Sequence, residues 1–412
     1  MRMYKVLSLL LALCLLLTAC GAPAETVTTT ASETTTTVVT TAATTVTTTA
    51  KPTTTTTKRP TTTTAFELTT VKPTVTLPTV VTLPTMPSRT TTVSAPTTTT
   101  TTRRTASTWT TGTVGTTLYR GEGEEASQIT PLLYKVTGGE GQVMWLFGSV
   151  HIGTEDMYPL PRYVMDAFAS ADTLAVEFDI LAYEKDLPAQ YAAQEVLLIP
   201  DPERTTADYL SYTTYQKAVS ILRQYISDFS VLSQYMPIMW YELISSINSS
   251  VYLPLVGADP ARGIDRTLLT AAYERGDMQI DSIESALSQN QMLANFSDPL
   301  QEALLRGELN NYGKAQEQAQ STQTLLDMWC EGDPVALNEQ FGIAPTTSYI
   351  QKEYDNEMII QRNSRMAEYA VGELEKGCNT FLCVGLGHIV GETGLVEQIR
   401  QNGYVVRQVI PE

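Results

Sequence analysis

The chain holds two histidines, His151 and His388, and each stands in the same local pattern. His151 closes Gly148-Ser149-Val150-His151 and His388 closes Gly385-Leu386-Gly387-His388. Each motif follows an apolar run, residues 143–147 and 381–384. With 24 glycines in 412 residues, a glycine three before both histidines arises by chance at (24/412)², about 0.3%. The duplication therefore carries information that a lone Gly-x-x-His would not. Glycine at a strand end permits a sharp turn or a close backbone approach. The imidazole beyond it is then presented at the carboxyl edge of the strand, where α/β folds place their ligands. The plainer alternative is two satisfied core histidines.

A two-histidine site needs acidic partners. Glu177 follows the short apolar run Leu174-Ala175-Val176 and can enter the same rim as His151. Two imidazoles and a carboxylate suit Zn²⁺, Mn²⁺, Fe²⁺ or Co²⁺, with positions left for water and substrate. Glu284, after Ile280-Asp281-Ser282-Ile283, holds the same place relative to its own run. Solvated loop residues are the alternative for both glutamates. Asp265, in Gly263-Ile264-Asp265, is expected to cap the helix running through Leu268, Leu269 and Ala272. Arg362 lies four after Met358 and four before Met366, on the apolar stripe of a helix over 350–376, whereas Arg365 falls on the polar side. An inward guanidinium requires a carboxylate or an anionic substrate group to offset its desolvation. That partner is either a structural ion pair, Glu177, or a developing oxyanion. The chain has no Gly-x-Ser-x-Gly elbow and no His-Glu-x-x-His helix. Cys330, Cys378 and Cys383 read as small buried apolar residues, with a Cys378–Cys383 disulfide left open.

These residues must be positioned by a fold. Residues 132–136 and 143–147, joined by Thr137-Gly138-Gly139-Glu140-Gly141, predict a β-hairpin. Pro161 opens a helix with Leu160, Val164 and Phe168 on one face, and residues 173–176 form a short strand. The stretch 203–340 is mostly helical, with Asp333-Pro334 as a helix start. A strand over 380–384, a helix over 393–401 and a strand over 404–410 close the chain. Strands from both ends enclosing a helical middle imply one α/β (α+β) head over 118–412 with a central sheet.

Charge divides the chain. Residues 1–117 carry nine Lys/Arg and three Asp/Glu, and residues 118–412 carry 18 and 41, or −23 of the total −17. A head that acidic lacks the positive patch that nucleic acid or anionic lipid requires. Arg2, Lys5 and the apolar run over 6–17 form an export signal, too short to span a bilayer comfortably. It ends in Leu17-Thr18-Ala19-Cys20-Gly21, which resembles the bacterial lipobox, so residues 1–20 read as a lipoprotein signal with Cys20 lipidated. Residues 21–117 hold 47 threonines in 97 positions. Such a segment buries too little apolar surface to offset the entropy of ordering it, and it reads as a disordered stalk, with threonines open to O-glycosylation, or as a plain spacer. The expected location is extracytoplasmic, tethered to the membrane.

The assembled residues resemble the TraB/PrgY/GumN family, which includes the animal Tiki proteins and is distantly similar to erythromycin-esterase and ChaN-like folds. The resemblance runs from about 131 to 410. Its motifs are Leu146-Phe147-Gly148-Ser149-Val150-His151-Ile152-Gly153, then Tyr158-Pro159-Leu160-Pro161 and Ala175-Val176-Glu177-Phe178-Asp179. Gly263-Ile264-Asp265, Ile283-Glu284-Ser285, Gln361-Arg362-Asn363-Ser364-Arg365-Met366 and Val384-Gly385-Leu386-Gly387-His388 follow in order. Ser149 stands where threonine is usual and Ile389 where leucine is usual. The resemblance implies a metal-dependent hydrolase, with Tiki-like members acting as metalloproteases and TraB-like members implicated in restraining peptide pheromone signalling. In one reading a divalent cation is bound by His151, His388 and Glu177. Glu177 or Glu284 then moves the proton, Arg362 stabilises negative charge, and the substrate is a peptide or a small ester or amide. In the other, the same cleft binds and sequesters a peptide without cleaving it.

Overall fold

In the computed structural model residues 128–139 and 141–411 are described. The signal segment 1–20, Cys20 and the threonine-rich segment 21–117 lie outside them, as do the first ten residues of the expected head.

Six strands form the sheet: β1 Leu133–Thr137, β2 Val143–Ser149, β3 Thr173–Val176, β4 Gln279–Ser282, β5 Thr380–Gly385 and β6 Val405–Gln408. The hairpin expected at the amino end is β1 and β2, antiparallel, with Leu133 opposite Phe147. The strand order is β4-β3-β5-β2-β1-β6. β4, β3, β5 and β2 run parallel, and β1 is antiparallel to both β2 and β6. The central strand β5 is buried at all six positions, Thr380 to Gly385. That is why it reads as a nearly unbroken apolar run rather than an alternating one. The sheet therefore joins the two chain ends, and the helical middle enters and leaves it through β4.

Helices cover the sheet. Helix α1, Arg162–Ser170, brings Phe168 edge-on to Phe381 of β5 with ring centroids 5.5 Å apart. Phe381 in turn lies 5.7 Å from Phe147 of β2, which meets Trp329 at 6.2 Å. Contacts of this kind contribute about 0.5–1.5 kcal/mol each beyond the area they bury. A second apolar cluster, centred on Trp240 and Ile244 of helix α2 (Pro237–Tyr252) and Leu305 of the helix Asp298–Asn311, builds the helical middle. The helix expected over 350–376 is interrupted. A helix Tyr349–Tyr354 passes through a π-helical segment, Asp355–Ile360, into the α-helix Gln361–Glu375. Simple heptad counting cannot show such a segment, because it inserts extra backbone into the turn. Met358, Arg362 and Met366 are nevertheless all buried, as the stripe requires. Among the described residues no helix is long and apolar enough to cross a membrane.

Candidate active site

The strand register places the two histidine motifs side by side. β2 and β5 are parallel neighbours with Ser149 opposite Gly385, so both motifs leave the sheet at the same edge. β3 lies on the other side of β5 with Val176 opposite Cys383, and β4 lies beyond with Ser282 opposite Val176. His151, His388, Glu177 and Glu284 thus follow four adjacent parallel strands at their carboxyl ends. The Glu284 amide donates to the Glu177 carbonyl at 2.7 Å, continuing the ladder past the strands.

Glycine at 148 has a specific cause. A Cβ there would lie 2.8 Å from Leu386 Cδ1 and 3.3 Å from Leu386 Cα, so the first motif packs directly on the second. The Gly148 carbonyl accepts from Trp329 Nε1 at 2.8 Å, which ties that contact into the core. The close approach, not a turn, is what the glycine serves.

Each imidazole is held through Nδ1. His151 Nδ1 faces Asp265 Oδ1 at 3.1 Å, and His388 Nδ1 faces Asn363 Oδ1 at 2.6 Å. The Asn363 amide is oriented by its own donation to the Thr393 carbonyl at 2.8 Å. Both partners are acceptors, so Nδ1 carries the proton in each ring and Nε2 presents a lone pair. Both Nε2 atoms are buried and without a hydrogen-bond partner.

Asp265 corrects an expectation. The helix Ile264–Arg275 begins after Gly263, and Asp265 sits in its first turn rather than at the cap, buried against His151. Its apolar-side spacing with Leu268, Leu269 and Ala272 already pointed inward. Asn363, the partner of His388, is a second position to which the sequence pattern assigns no role. It shares a stripe with Met366, Ala367 and Ala370, and only an inward-facing helix position explains a polar residue there.

Glu177 stands between the histidines and Arg362. Its Oε1 accepts from the Gly385 amide at 2.7 Å and lies 3.8 Å from His388 Nε2, while its Oε2 accepts from Arg362 Nη2 at 2.5 Å. Arg362 also grips Glu284, with Nε at 3.0 and 3.1 Å from the two oxygens and Nη2 at 2.8 Å. Gln289 Nε2 donates to Glu284 at 2.8 Å, and the half-exposed Arg365 reaches it at 3.4 Å. The expected contact of Arg362 with Glu177 is present, and Glu284 completes a buried triad.

These contacts decide protonation. Burial alone would raise the Glu177 carboxyl, but Arg362 first, then His388, His151 and the Gly385 amide, outweigh it and hold the group well below the usual carboxylate range. Burial opposes ionisation of Glu284 too, and Arg362 again turns the balance downward. Burial and Arg362 push His388 down to about 4, so it is neutral at pH 7. Burial presses His151 the same way, but the Asp265 carboxylate and Glu177 reverse the direction and raise it.

A small cavity of about 10 Å³, room for a single water, is lined by Ser149, His151, Glu177, Phe178, Asp265 and Cys383. Cys383 is a free thiol, as are Cys330 and Cys378. The sequence pattern predicts a cleft; the side chains are instead enclosed, with His151, Glu177, Arg362 and His388 exposed by 7% or less.

A family model, described as the TraB/PrgY/gumN family, matches residues 132–408. The chain belongs to this family. Its relatives include an uncharacterized protein YbaP of Escherichia coli (strain K12), 27% identical over 258 residues, covering 62% of this chain and 87% of that one. The YbaP protein of Shigella flexneri matches over the same extent. A metalloprotease TIKI homolog of Nematostella vectensis is 28% identical over 160 residues, 35% of this chain and 33% of its own length. The chain thus spans a third of that relative. No solved structure matches. The matched region contains both Gly-x-x-His motifs, Glu177, Asp265, Glu284 and Arg362.

A divalent cation can be tested against the residues at the sheet edge. Among the described residues no group of three or more His, Cys, Asp or Glu side chains stands together at metal-ligand spacing. The donor chemistry nevertheless fits: two buried Nε2 lone pairs are unpartnered, with each Nδ1 fixed by an acceptor as metal-bound histidines require. Charge fits as well. Asp265, Glu177 and Glu284 against Arg362 leave the buried cluster negative, and a cation offsets that excess.

Proposed function

We propose that the protein is an extracytoplasmic, lipid-anchored metal-dependent hydrolase that cleaves amide or ester bonds, most readily in peptides. One observation carries the reading: two buried imidazole Nε2 atoms, unpartnered and fixed through Nδ1, stand at one sheet edge beside an ionised carboxylate. The relative named a metalloprotease supports the same chemistry. His151 and His388 would hold the cation through Nε2, with Glu177 as the nearest carboxylate. A divalent ion there supplies Lewis acidity toward water and a substrate carbonyl.

The chain's own groups do the rest. Arg362 keeps Glu177 ionised, so Glu177 Oε1, 3.8 Å from His388 Nε2, is an acceptor for the proton of an attacking water. Glu284 acts through Arg362, fixing the guanidinium at Nε and sharing its Nη2 with Glu177. The Asp265 carboxylate raises the basicity of His151, whereas burial and Arg362 keep His388 neutral. Enclosure of the site keeps bulk water from screening these charges.

The test is metal content of the full chain after dialysis against Mn²⁺, Co²⁺ or Zn²⁺, compared with His151→Ala and His388→Ala. Retention by the wild type and loss in both variants, together with cleavage in a peptide library that follows added metal, would support the proposal. In a second reading the head binds a peptide without cleaving it; metal-independent peptide binding with no cleavage would decide for it. Anchoring is tested by Cys20→Ala, which should release the protein from the membrane fraction or leave it unprocessed.

A further inference from the structure

A second cavity, of about 470 Å³, lies between helix α2 and the segment 257–262. It falls within the roughly 300–1,000 Å³ range of small-ligand sites. One wall is built by Ser246, Ser249 and Ser250 of α2, of which Ser246 and Ser249 are buried and Ser250 is exposed. The Ser249 hydroxyl donates to the Ser246 carbonyl at 3.0 Å, and Ser250 to Ile247 at 2.7 Å. Their protons are used within the helix, so each oxygen is left as an acceptor.

The opposite wall carries Arg262. Its side chain is 44% exposed and pairs loosely, at 3.8 Å, with a Glu155 carboxylate that is 91% exposed. A pair of that length and exposure contributes little, so the planar fork of five donors remains available to a ligand. The neighbouring Asp259 carboxylate is occupied in accepting from the Ala261 amide at 2.8 Å and holds the turn.

An exposed acceptor for an N–H group on one wall and a guanidinium on the other describe a ligand with an amide proton and an anionic carboxylate. We infer that this cavity binds the carboxylate-bearing part of a short peptide, Arg262 gripping the carboxylate and Ser250 accepting an amide proton. The carboxylate is either a chain terminus or an Asp/Glu side chain.

The same segment supports the histidine loop. Asp259 and Gly153 exchange backbone hydrogen bonds at 3.1 and 2.9 Å, the Ile264 amide donates to the Val150 carbonyl at 2.9 Å, and the Arg262 carbonyl accepts from the Tyr158 hydroxyl at 2.6 Å. A peptide on Arg262 therefore rests on the backbone that positions His151 and Asp265.

Calorimetric titration of the full chain in the presence of a chelator tests this without reference to hydrolysis. The probes are acetyl-Ala-Ala-Ala as the free acid, the same peptide as its amide, and acetyl-Ala-Glu-Ala amide. At least one carboxylate probe should bind, with the neutral amide roughly 10-fold weaker or more; whichever probe binds identifies the source of the carboxylate. Arg262→Gln should weaken that binding by roughly 10- to 100-fold, with Arg262→Lys in between. Ser250→Ala should cost several-fold. Arg262 is a surface residue, so an unchanged melting temperature will show that its variants fold. No binding by any probe, equal binding of the neutral amide, or full binding by folded Arg262→Gln would overturn the inference. His388→Ala should bind as the wild type does, so loss of metal and loss of this binding are separable results.

Discussion

Replacing Arg362 by methionine keeps the aliphatic length of the side chain and removes the one guanidinium shared by Glu177 and Glu284. Glu177 then retains the Gly385 amide, and Glu284 retains Gln289 and the half-exposed Arg365. Breaking a buried ion pair by removing one partner costs about 3–5 kcal/mol. Protonation sets an independent ceiling. A stranded carboxylate can escape by taking up a proton, which at pH 7 costs about 1.36 × (7 − 4.5), or about 3.4 kcal/mol, relative to a carboxyl that titrates normally at 4.5. With Glu177 bearing most of that and Glu284 part of it, Arg362→Met should lose about 3–5 kcal/mol at pH 7. The sign of the pH effect follows. In the wild type both carboxyls are depressed, so their contribution is complete above about 4.5 and is lost as the pH falls below it. In the variant, burial without the guanidinium raises both, so the ceiling drops to about 0.7 kcal/mol per group at pH 5. The gap between the two proteins should therefore shrink severalfold between pH 7 and pH 5. Urea denaturation in chelator, followed by tryptophan fluorescence at both pH values, measures it. A gap below about 1 kcal/mol at pH 7, or one that does not change with pH, would refute the buried triad as the source of the stability.

Three further outcomes follow from the same contacts. Asp265→Asn removes the charge behind His151 and, under the proposed function, should weaken metal binding about 10- to 100-fold in a competition titration; unchanged affinity would count against His151 as a ligand. In metal-free protein, His388 is depressed from 6.5 to about 4, so the unfolded chain takes up a proton that the folded one refuses. Stability should then fall by up to about 3 kcal/mol from pH 6.5 to 4, and His388→Gln should flatten that slope in urea midpoints. Gly263→Ala sets a Cβ 2.6 Å from the His151 carbonyl oxygen, a backbone atom that cannot step aside, and should lower stability by about 1–3 kcal/mol in thermal melts.

Much of the site can be read from the chain itself. The apolar runs before Gly148, Glu177 and Gly385 identify three strands by composition, the fourth, before Glu284, is marked only by Ile280 and Ile283, and β5 looks continuous because it is covered on both faces. The repeated Gly-x-x-His pattern singles out the two histidines, and Met358, Arg362 and Met366 place the arginine inward by helical period alone. Local periodicity carries this information because it records which side of an element loses contact with water.

The tertiary structure decides what those residues meet. Nothing in a strand's composition shows that β5 pairs between β2 and β3, and that pairing is what sets His388 beside His151 and within 3.8 Å of Glu177. The partners of the imidazoles, Asp265 and Asn363, come from helices 114 and 25 residues away in sequence. A helical stripe shows that such residues face inward but not which ring they reach. The π segment before Arg362 and the enclosure of the site depend on packing between elements distant along the chain. Side-chain direction is a local property, whereas hydrogen-bond partnership and burial depth are properties of the assembled core.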